Sequence, residues 1–218
     1  MEKLKVKVTF TESILGTAPK NEDVYVDYIG SKSPDASTIE EEVAALGVDG
    51  VAEKGMTGFL RDENGNPILL DYQIKGFFKD ACSMLNRLAK KETVVDAKTG
   101  KSKTVKSGSN ESSKLKAYKK EIDGLIFVNP RKIALHYDGE IGICQRPLRA
   151  QTAQGERIAL AMSEELPVGT TCEFEVVCLD PEHIKAVKEW LDYGALRGFG
   201  QWRNSGHGKY TWEELPVE

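Results

Sequence analysis

The chain has 218 residues, of which 40% are hydrophobic and 29% are charged, and its formal net charge at pH 7 is −4. This length and composition predict a globular protein with one substantial core, and no run approaches the roughly 18 apolar residues of a membrane-spanning helix. The amino terminus, MEKLKVKVTF, alternates charged and hydrophobic residues, which is not typical of a signal peptide, and we therefore expect a cytoplasmic protein.

The amino-terminal half contains patterns typical of strands, a hairpin and helices. Residues 4–10 alternate between hydrophobic and polar, which is the period of a half-buried strand. The stretch STIEEEV predicts a short helix that Thr38 caps. RDENGNPI predicts a hairpin with a type I′ turn at Asn64–Gly65. From Ile74 to Leu88 apolar residues recur every three or four positions, and this spacing predicts an amphipathic helix.

The carboxy-terminal half predicts further strands and one well-marked helix. Residues 91–120 lack periodicity and are rich in Ser, Lys and Gly, so we expect a flexible insertion or a hairpin arm there. GLIFVNPRKIALHY and EIGICQRPLR have strand character and precede a polar stretch from 150 to 165. PVGTTCEFEVVCL predicts a turn and a strand, and KYTWEEL predicts the last strand. DPEHIKAVKEWLDYG predicts a helix that Asp180 caps and Gly194 stops.

Without its insertions the chain runs strand, helix, strand, strand, helix, strand. This order predicts an α+β fold with a ferredoxin-like (RRM-like) βαββαβ core and a glycine-rich loop before the last strand. The four cysteines lack CxxC spacing, and we expect all of them to be reduced core residues. A fold of this kind hosts many chemistries, so the function has to be argued from particular sites.

Charge is distributed unevenly along the chain. Between Arg87 and Lys120 there are eleven basic and three acidic residues, whereas between Glu22 and Glu53 acidic residues dominate. One interpretation is a solvated lysine-rich loop and a solvated acidic helix. The alternative is a pair of surfaces that bind a polyanion or dock neighbouring subunits head to tail.

Three stretches carry motifs in a defined order. GFGQWRNSGHGKY fits GxGxxxxxGxG followed by one residue and an aromatic, between the second helix and the last strand. LRDENGNPILLDYQIKGFFKDA has a D-x-x-G-x-P turn that leads to a Lys-Gly pair in the first long helix, and EELPVGTTCEFEVV has an acidic Pro-Gly turn entering a strand. Together they resemble the RAMP superfamily (repeat-associated mysterious proteins), most of all the RNA-binding backbone subunits of CRISPR effector complexes.

This resemblance implies one RAMP-like domain over residues 1–218 with three insertions. They are an acidic, helical insertion at about 22–57, a basic, flexible arm at 91–120 and a thumb-like arm at 145–167. The family usually has serines before the Lys-Gly pair, whereas this chain has Tyr72, Gln73 and Ile74. A contact from a serine to a phosphate is therefore not expected at that point.

The glycine-rich loop is the centre of the predicted nucleic-acid site, which would take single-stranded RNA or DNA. Its glycines allow backbone N–H groups to approach an anion, its cations neutralise phosphates, and its tryptophan offers a stacking face to a base. Two lysines one turn apart on the first helix can follow the same strand, and the arginines of QRPLRAQTAQGER are placed on the thumb-like arm. The predicted binding residues are Lys75, Lys79, Arg146, Arg149, Arg157, Arg197, Gly198, Gly200, Trp202, Arg203, Gly206, Gly208 and Lys209.

Each of these residues also has a purely structural interpretation. The glycines would pack the loop over the sheet with Trp202 in the core, and the lysines and arginines would be ordinary solvated side chains. We predict no catalytic residue, cofactor or metal ligand, because HExxH, paired-Cys and Walker spacings are absent. Some relatives cleave RNA, either with a histidine as general base or with an acidic residue after the first strand, and the resemblance makes His207, Asp23 and Asp27 the candidates for such a role.

The sequence therefore predicts a single-stranded RNA-binding subunit that assembles with copies of itself or related subunits into a multi-subunit or filamentous ribonucleoprotein. The alternative is a virus-encoded interaction protein that uses this fold to bind or mimic a component of a nucleic-acid-guided defence system. A third possibility is a guide-processing ribonuclease that needs no metal.

Overall fold

The computed structural model describes residues 1–19, 56–88, 90–95, 102–107, 110–152 and 155–216. The predicted helix that Thr38 begins and nearly all of the acidic segment lie outside these residues. The strands and helices, in chain order, are β1 (Glu2–Phe10), β2 (Ile14–Leu15), β3 (Ala18–Pro19), β4 (Thr57–Gly58), β5 (Leu60–Arg61), β6 (Pro67–Leu70), α1 (Asp71–Leu85), β7 (Lys90–Val95), β8 (Ser102–Ser107), α2 (Tyr118–Leu125), β9 (Ile126–Asn129), β10 (Lys132–Ala134), β11 (Gly142–Thr152), β12 (Gly155–Leu166), β13 (Thr171–Cys178), α3 (His183–Arg197) and β14 (Tyr210–Leu215).

A four-stranded antiparallel sheet forms the centre of the fold, with the strand order β14-β1-β13-β9. In β1, Leu4, Val6, Val8 and Phe10 are buried and the residues between them are not, as the alternating sequence predicts. The α+β class is confirmed, and β1, α1, β9, β13, α3 and β14 follow the predicted order of core elements.

The helices α1 and α3 pack their apolar stripes against the buried face of this sheet. Phe78 of α1 lies 5.3 Å from Trp190 of α3, measured between ring centres, and Phe77 contacts Tyr210 of β14 edge to face. Ile122 of α2 is also fully buried. Aromatic residues therefore join both helices and the sheet in one core. Among the described residues no helix is long and apolar enough to cross a membrane.

Two long hairpins extend the fold. β7 pairs with β8 inside the segment that was predicted to be a flexible insertion or a hairpin arm. β11 pairs with β12 over eleven positions, so the stretch at 150–165 is mostly strand, which the sequence analysis described only as polar. The end of β12 nearest the core also pairs with β2 and β4, whereas Thr152 and Gly155 form the outer end of the β11–β12 hairpin.

The prediction that Gly194 ends the last helix is wrong. The helix α3 continues to Arg197 and ends at Gly198, whose φ of 82° lies in the left-handed region. A Cβ on Gly194 would lie 1.9 Å from the Tyr210 hydroxyl and 2.4 Å from the Phe77 ring. This glycine is therefore a packing position inside the helix, and the next glycine along provides the stop.

The predicted hairpin at 61–67 forms, but its turn is not type I′. Asn64 lacks the positive φ that this turn requires, and the loop between β5 and β6 has five residues. The Asp62 carboxylate accepts hydrogen bonds from the amides of Asn64 and Asn66 at 2.9 and 2.8 Å. These two bonds organise a wider loop than the Asn-Gly pair alone predicts.

All four cysteines are free thiols, as predicted. Cys82, Cys172 and Cys178 are buried, and burial raises their pKa values to about 11, about 12 and about 12. Cys144 is only half-buried, so its assignment to the core is wrong. It lies on β11 in the long β11–β12 hairpin, whereas the three buried cysteines lie in α1 and in β13 of the central sheet.

Candidate nucleic-acid interface

The glycine-rich loop, residues 198–209, connects α3 to β14 and rests on the turn that follows β1. The amide of Gly208 donates to the Ser13 carbonyl at 2.8 Å, and the amide of Thr11 donates to the Lys209 carbonyl at 2.9 Å. Across the loop itself, the Phe199 amide donates to the Gly208 carbonyl at 2.8 Å. The two ends of the loop are therefore held together and fixed to the sheet.

Two of the loop glycines serve packing. A Cβ on Gly208 would lie 1.9 Å from the Phe199 carbonyl oxygen, and one on Gly198 would lie 2.4 Å from the His207 carbonyl oxygen. Both positions therefore need glycine for packing alone, and the binding of nucleic acid by this loop stays a prediction. Gly206, in contrast, has open space around its Cβ position.

The middle of the loop presents a run of backbone amides. Within the described part of the chain, the amides from Gly200 to Asn204 donate no hydrogen bond. Gly200 and Trp202 have positive φ values of 85° and 52°, and a short 3-10 turn, Arg203–Ser205, follows. Successive amides in a chain that alternates between left-handed and other conformations form concavities that bind anions.

Trp202 lies on this loop in a left-handed conformation that is rare for a residue with a large side chain. It is 39% exposed, so it is not a core residue. Its ring stacks on His207 with the ring centres 5.1 Å apart and the planes 15° apart, and the Arg146 guanidinium carbon lies 5.1 Å from its centre. The predicted stacking residue is thus accessible and is contacted by two side chains of its own chain.

Arg146 extends from β11 to the loop and is only 7% exposed. Its Nη2 donates to the Gln201 side-chain oxygen at 2.7 Å, while Nε and Nη1 have no hydrogen-bond partner among the described residues. Burial and the charge of Glu165 raise the pKa of the neighbouring Cys144 thiol, against the effect of Arg146, so this thiol stays neutral at pH 7 and supplies no anion. A buried cation without an anion is unfavourable, and a ligand phosphate would relieve it.

Gln201 orients this arginine and was missed by the sequence analysis. Its side-chain nitrogen donates to the Gly16 carbonyl at 2.6 Å and to the Thr57 hydroxyl at 3.0 Å, which leaves its oxygen for Arg146. These partners come from three distant parts of the chain. No local sequence pattern predicts these contacts, because the sequence around a loop glutamine does not show whether its side chain is exposed to solvent or fully hydrogen-bonded.

The other loop cations are engaged within the chain to different degrees. Arg203 forms an ion pair with Asp80 of α1 at 2.7 Å, and Arg197 donates to the Asn204 side chain at 2.6 Å. Lys209 is half-buried, and no carboxylate among the described residues forms an ion pair with it. Among the described residues, Lys209 of the loop and Arg197 at the end of α3 therefore have no carboxylate partner, whereas a ligand would have to share Arg203 with Asp80.

Lys75 and Lys79 are not brought to the loop. At 100° per residue they lie about 100° around α1 from Gly76 and from Asp80, respectively, and Asp80 is the ion-pair partner of Arg203. Lys79 forms an ion pair with Asp123 of α2 at 2.6 Å, and Lys75 donates to the Asp123 carbonyl and lies over the Phe127 ring. Arg149 and Arg157 lie in the paired strands β11 and β12, and their side chains are outside the described part. Nucleic-acid binding by these four residues stays a prediction.

A groove of about 230 Å³ lies beside the loop, between α1 and the hairpin of β5 and β6. Its walls are mainly apolar and include the rings of Phe59, Phe77 and Phe199. The polar side chains of Gln73, Asp80 and Arg203 line it as well. No sequence pattern predicts this groove, because its lining comes from four separate stretches of the chain that meet only in the folded protein.

The described residues contain no cluster of three or more His, Cys, Asp or Glu side chains that could hold a metal ion. His207, the candidate base of a ribonuclease, shares a hydrogen bond of 3.0 Å between its Nδ1 and the Ser13 hydroxyl and stacks on Trp202. The other candidates, Asp23 and Asp27, lie outside the described residues.

No protein-family model and no curated protein matches the sequence. Among solved structures, a chain from the Type III-B Cmr-beta complex bound to cognate target RNA is 12% identical with a TM-score of 0.49, and the match covers 99% of this chain and 59% of that one. A chain from a Type IV-B CRISPR complex is 12% identical with a TM-score of 0.45, covering 99% and 91%. Both similar chains come from CRISPR complexes. This chain spans about three fifths of the length of the Cmr-beta chain that it matches.

Proposed function

We propose that this protein is a single-stranded RNA-binding subunit that assembles with copies of itself or with related subunits into a ribonucleoprotein of the CRISPR type. The observation that carries the proposal is the buried Arg146 guanidinium, which lies beside a run of loop amides. Within the described part of the chain, the guanidinium has no anionic partner and these amides donate no hydrogen bond. Both groups bind phosphates, and they meet at Trp202, which is suited to stack on a base.

Each part of the loop has a role in this proposal. The amides from Gly200 to Asn204 contact the sugar-phosphate chain without reading its sequence, because amides recognise the oxygens of any phosphate. Lys209 is half-buried and contacts the phosphates directly, whereas Arg146 is buried and acts on them through its charge. Trp202 stacks on one base once His207 leaves the ring face that it covers, and every base has a stacking face, so binding tolerates different sequences.

Surfaces outside this interface support the proposed assembly. Ile143 and Leu160, on the β11–β12 hairpin, are exposed apolar residues, and the basic and acidic segments of the chain have opposite charge. A hairpin of this length reaches beyond the core and offers its apolar side to a neighbouring subunit. Contact between different surfaces of successive copies is head to tail, and such contacts generate filaments when the rotation does not close.

The proposal is tested by fluorescence anisotropy of a labelled single-stranded RNA titrated with the wild type and with the double variant Arg203→Ala/Lys209→Ala. We expect the double variant to bind about tenfold or more weakly, since two charge contacts to phosphate are lost. Lys185→Ala is the matched control: it removes a cation from the first turn of α3, about 20 Å along the helix from the loop. Equal affinities for the double variant and the wild type would remove this loop from the interface.

A second function, an interaction protein that binds or mimics a component of a nucleic-acid-guided system, is favoured by one observation. Arg203 already forms an ion pair with Asp80, and Arg197 already donates a hydrogen bond to Asn204. Such contacts are expected if the loop has a structural role and binds no nucleic acid. Gel filtration read at 260 and 280 nm separates the two functions. A raised 260/280 ratio that falls after nuclease treatment supports the RNA-binding subunit, whereas a nucleic-acid-free monomer that fails to bind added RNA supports the interaction protein.

A further inference from the structure

His207 covers part of the Trp202 ring on which the proposed function stacks a base. The two rings are nearly parallel, with planes 15° apart and centres 5.1 Å apart, so the imidazole lies where a stacked base would lie. The imidazole and a base cannot occupy the same part of the ring face at once. Stacking of a bound strand on Trp202 therefore has to displace a contact that the protein makes with itself.

A hydrogen bond holds the imidazole in this position. His207 Nδ1 and the Ser13 hydroxyl oxygen are 3.0 Å apart, and Ser13 belongs to the turn that follows β1. The Ser13 carbonyl also accepts from the Gly208 amide at 2.8 Å, so this serine is fixed to the loop through its backbone as well as its side chain. Ser13 therefore holds His207 in place from outside the glycine-rich loop.

The Trp202 backbone has a conformation that a residue with a large side chain rarely adopts by itself. Its φ of 52° and ψ of 31° lie in the left-handed region. Such a conformation persists where the surrounding contacts hold it, and the ring contacts at Trp202 are the stacked His207 and the Arg146 guanidinium. Loss of the His207 contact therefore frees the tryptophan to change its position.

The two glycines that flank His207 differ in their freedom to move. Gly206 and Gly208 both have positive φ values, 97° and 71°. A Cβ on Gly208 would lie 1.9 Å from the Phe199 carbonyl oxygen, so this position is tightly packed, whereas Gly206 has open space around its Cβ position. A few residues at the end of a moving segment absorb its change in backbone angles. Gly206 is therefore the position at which the chain can turn when His207 leaves Trp202.

We propose that Ser13 and His207 form a latch that keeps Trp202 covered in the free protein and opens when a single strand binds. This inference rests on the proposed RNA-binding function and adds an autoinhibitory contact to it. In the closed state Ser13 holds the imidazole over the indole ring. In the open state this hydrogen bond is broken and a base replaces the imidazole. The wild type therefore binds RNA more weakly than a chain without the latch.

Two variants remove the latch and leave Trp202 and Arg146 in place. Ser13→Ala removes the hydrogen bond, and His207→Ala removes both the hydrogen bond and the stacked ring. His136→Ala is the matched control, because His136 is exposed and, within the described part of the chain, forms hydrogen bonds only through its backbone. Thermal unfolding of each variant confirms that it is folded.

The first measurement is the affinity of each protein for a labelled single-stranded RNA, by fluorescence anisotropy. We expect Ser13→Ala to bind about threefold more tightly than the wild type and His207→Ala about tenfold more tightly, since one hydrogen bond and one ring contact no longer oppose binding. A tenfold gain corresponds to an open state that is populated in about one tenth of the free wild type. His136→Ala should match the wild type.

A double variant separates the latch from other roles of His207. If His207 acts by covering Trp202, His207→Ala should bring no gain in affinity in a Trp202→Ala background, because the covered ring is then absent. If His207 instead contacts a phosphate or only supports the loop, its removal should weaken RNA binding in the wild-type background. The two roles therefore predict changes of opposite sign.

A measurement without RNA tests the closed state by itself. The chain has three tryptophans, so the fluorescence of Trp202 is obtained as the difference between each protein and its Trp202→Phe counterpart. Acrylamide quenches a tryptophan more strongly when its ring is more accessible. We expect stronger quenching of Trp202 in His207→Ala and in Ser13→Ala than in the wild type. Equal quenching in all three proteins would show that His207 does not cover the ring, and would overturn the latch.

The outcomes distinguish this inference from the function on which it rests. Absence of RNA binding by all of the proteins would overturn the proposed function, and the latch with it. Wild-type affinity that equals or exceeds that of both Ser13→Ala and His207→Ala would overturn the latch alone. A gain in His207→Ala that persists without Trp202 would show that His207 opposes RNA by another route, and would also overturn the latch.

Discussion

The guanidinium carbon of Arg146 lies 5.1 Å from the centre of the Trp202 ring, and this contact joins the β11–β12 hairpin to the glycine-rich loop. The arginine is almost fully buried, while the tryptophan is partly exposed above the loop. A cation over an aromatic face stabilises the pair by about 0.5 to 2 kcal/mol, which is less than the cost of burying a charge that lacks an anion. Within the described part of the chain, the cost of burying this charge is therefore not offset by an anion.

Replacement of Arg146 by methionine should raise the stability of the RNA-free protein. Met has a similar length and packs against Trp202 without needing a counter-charge, so we expect the free energy of unfolding to rise by about 1 kcal/mol. Urea unfolding followed by circular dichroism measures it. Arg61→Met is the contrasting variant, because Arg61 forms an ion pair with the buried Glu164 at 2.9 Å. Arg61 is partly exposed and Glu164 keeps the hydrogen bond from the Phe59 amide, so the loss of the pair should destabilise the protein by about 1 to 2 kcal/mol. Similar destabilisation in both variants would show that Arg146 is already compensated.

The loop glycines should differ sharply in their tolerance of alanine. Gly208→Ala would force a Cβ to within 1.9 Å of the Phe199 carbonyl oxygen, and we expect a loss of about 3 kcal/mol or more. Gly206→Ala has open space and only the cost of a positive φ, about 1 kcal/mol. Equal losses for the two variants in chemical denaturation would contradict the described packing of the loop.

A similar contrast applies to two glycines inside helices. We expect Gly194→Ala to destabilise the protein by about 2 to 4 kcal/mol, because its Cβ would overlap the Tyr210 hydroxyl and the Phe77 ring. Gly124→Ala meets no atom within 4 Å and should stabilise the protein by up to about 1 kcal/mol through helix propensity. The melting temperatures of the two variants should therefore move in opposite directions, and a gain for Gly194→Ala would disprove the close contact.

The buried thiols should make the protein less stable at high pH. A thiol ionises near pH 8.5 in the unfolded chain, whereas burial raises the folded pKa values of Cys82 and Cys172 to about 11 and about 12. The unfolded state therefore loses protons first, and the free energy of unfolding should fall as the pH rises from about 9 towards 11. Urea midpoints at pH 8 and pH 10 measure this fall. It should be smaller in Cys172→Ala, and an identical pH dependence in that variant would argue against this cause.

RNA binding should depend steeply on salt. Each phosphate contact on a single strand contributes about 0.7 to the slope of the logarithm of affinity against the logarithm of salt concentration. Lys209→Ala should lower that slope by about one contact, while Lys185→Ala, at the far end of α3, should leave it unchanged. Anisotropy titrations between about 50 and 200 mM salt give both slopes. A slope for Lys209→Ala equal to that of the wild type would exclude this lysine from the phosphate path.

Much of the fold could be predicted from local patterns. The alternation in residues 4–10, the strand 171–178 and the apolar spacing in α1 each report burial on one face, and the structure has each of them. The sequence predicts the wrong role for Gly194, because a glycine near the end of a helical pattern by itself indicates that the helix stops there. Its actual role depends on Tyr210 and Phe77, which no local pattern places beside it.

The candidate site was only partly predictable for the same reason. The glycine-rich loop is marked by its sequence, but the burial of Arg146 requires Gln201, Gly16 and Thr57 to meet around it. Likewise, Lys75 and Lys79 lie one turn apart as predicted, yet their flank of α1 faces Asp123 and not the loop. Sequence spacing gives the relation of residues within one element, whereas contacts between elements depend on the packed fold.

The central claim, that Arg146 belongs to an RNA interface, is tested most directly by the affinity of Arg146→Met for a labelled single-stranded RNA at low salt, alongside the wild type. The account predicts that the wild type binds, and that the variant binds at least about tenfold more weakly although it is folded and at least as stable. Equal affinity of the two folded proteins, or no binding by the wild type, would contradict it.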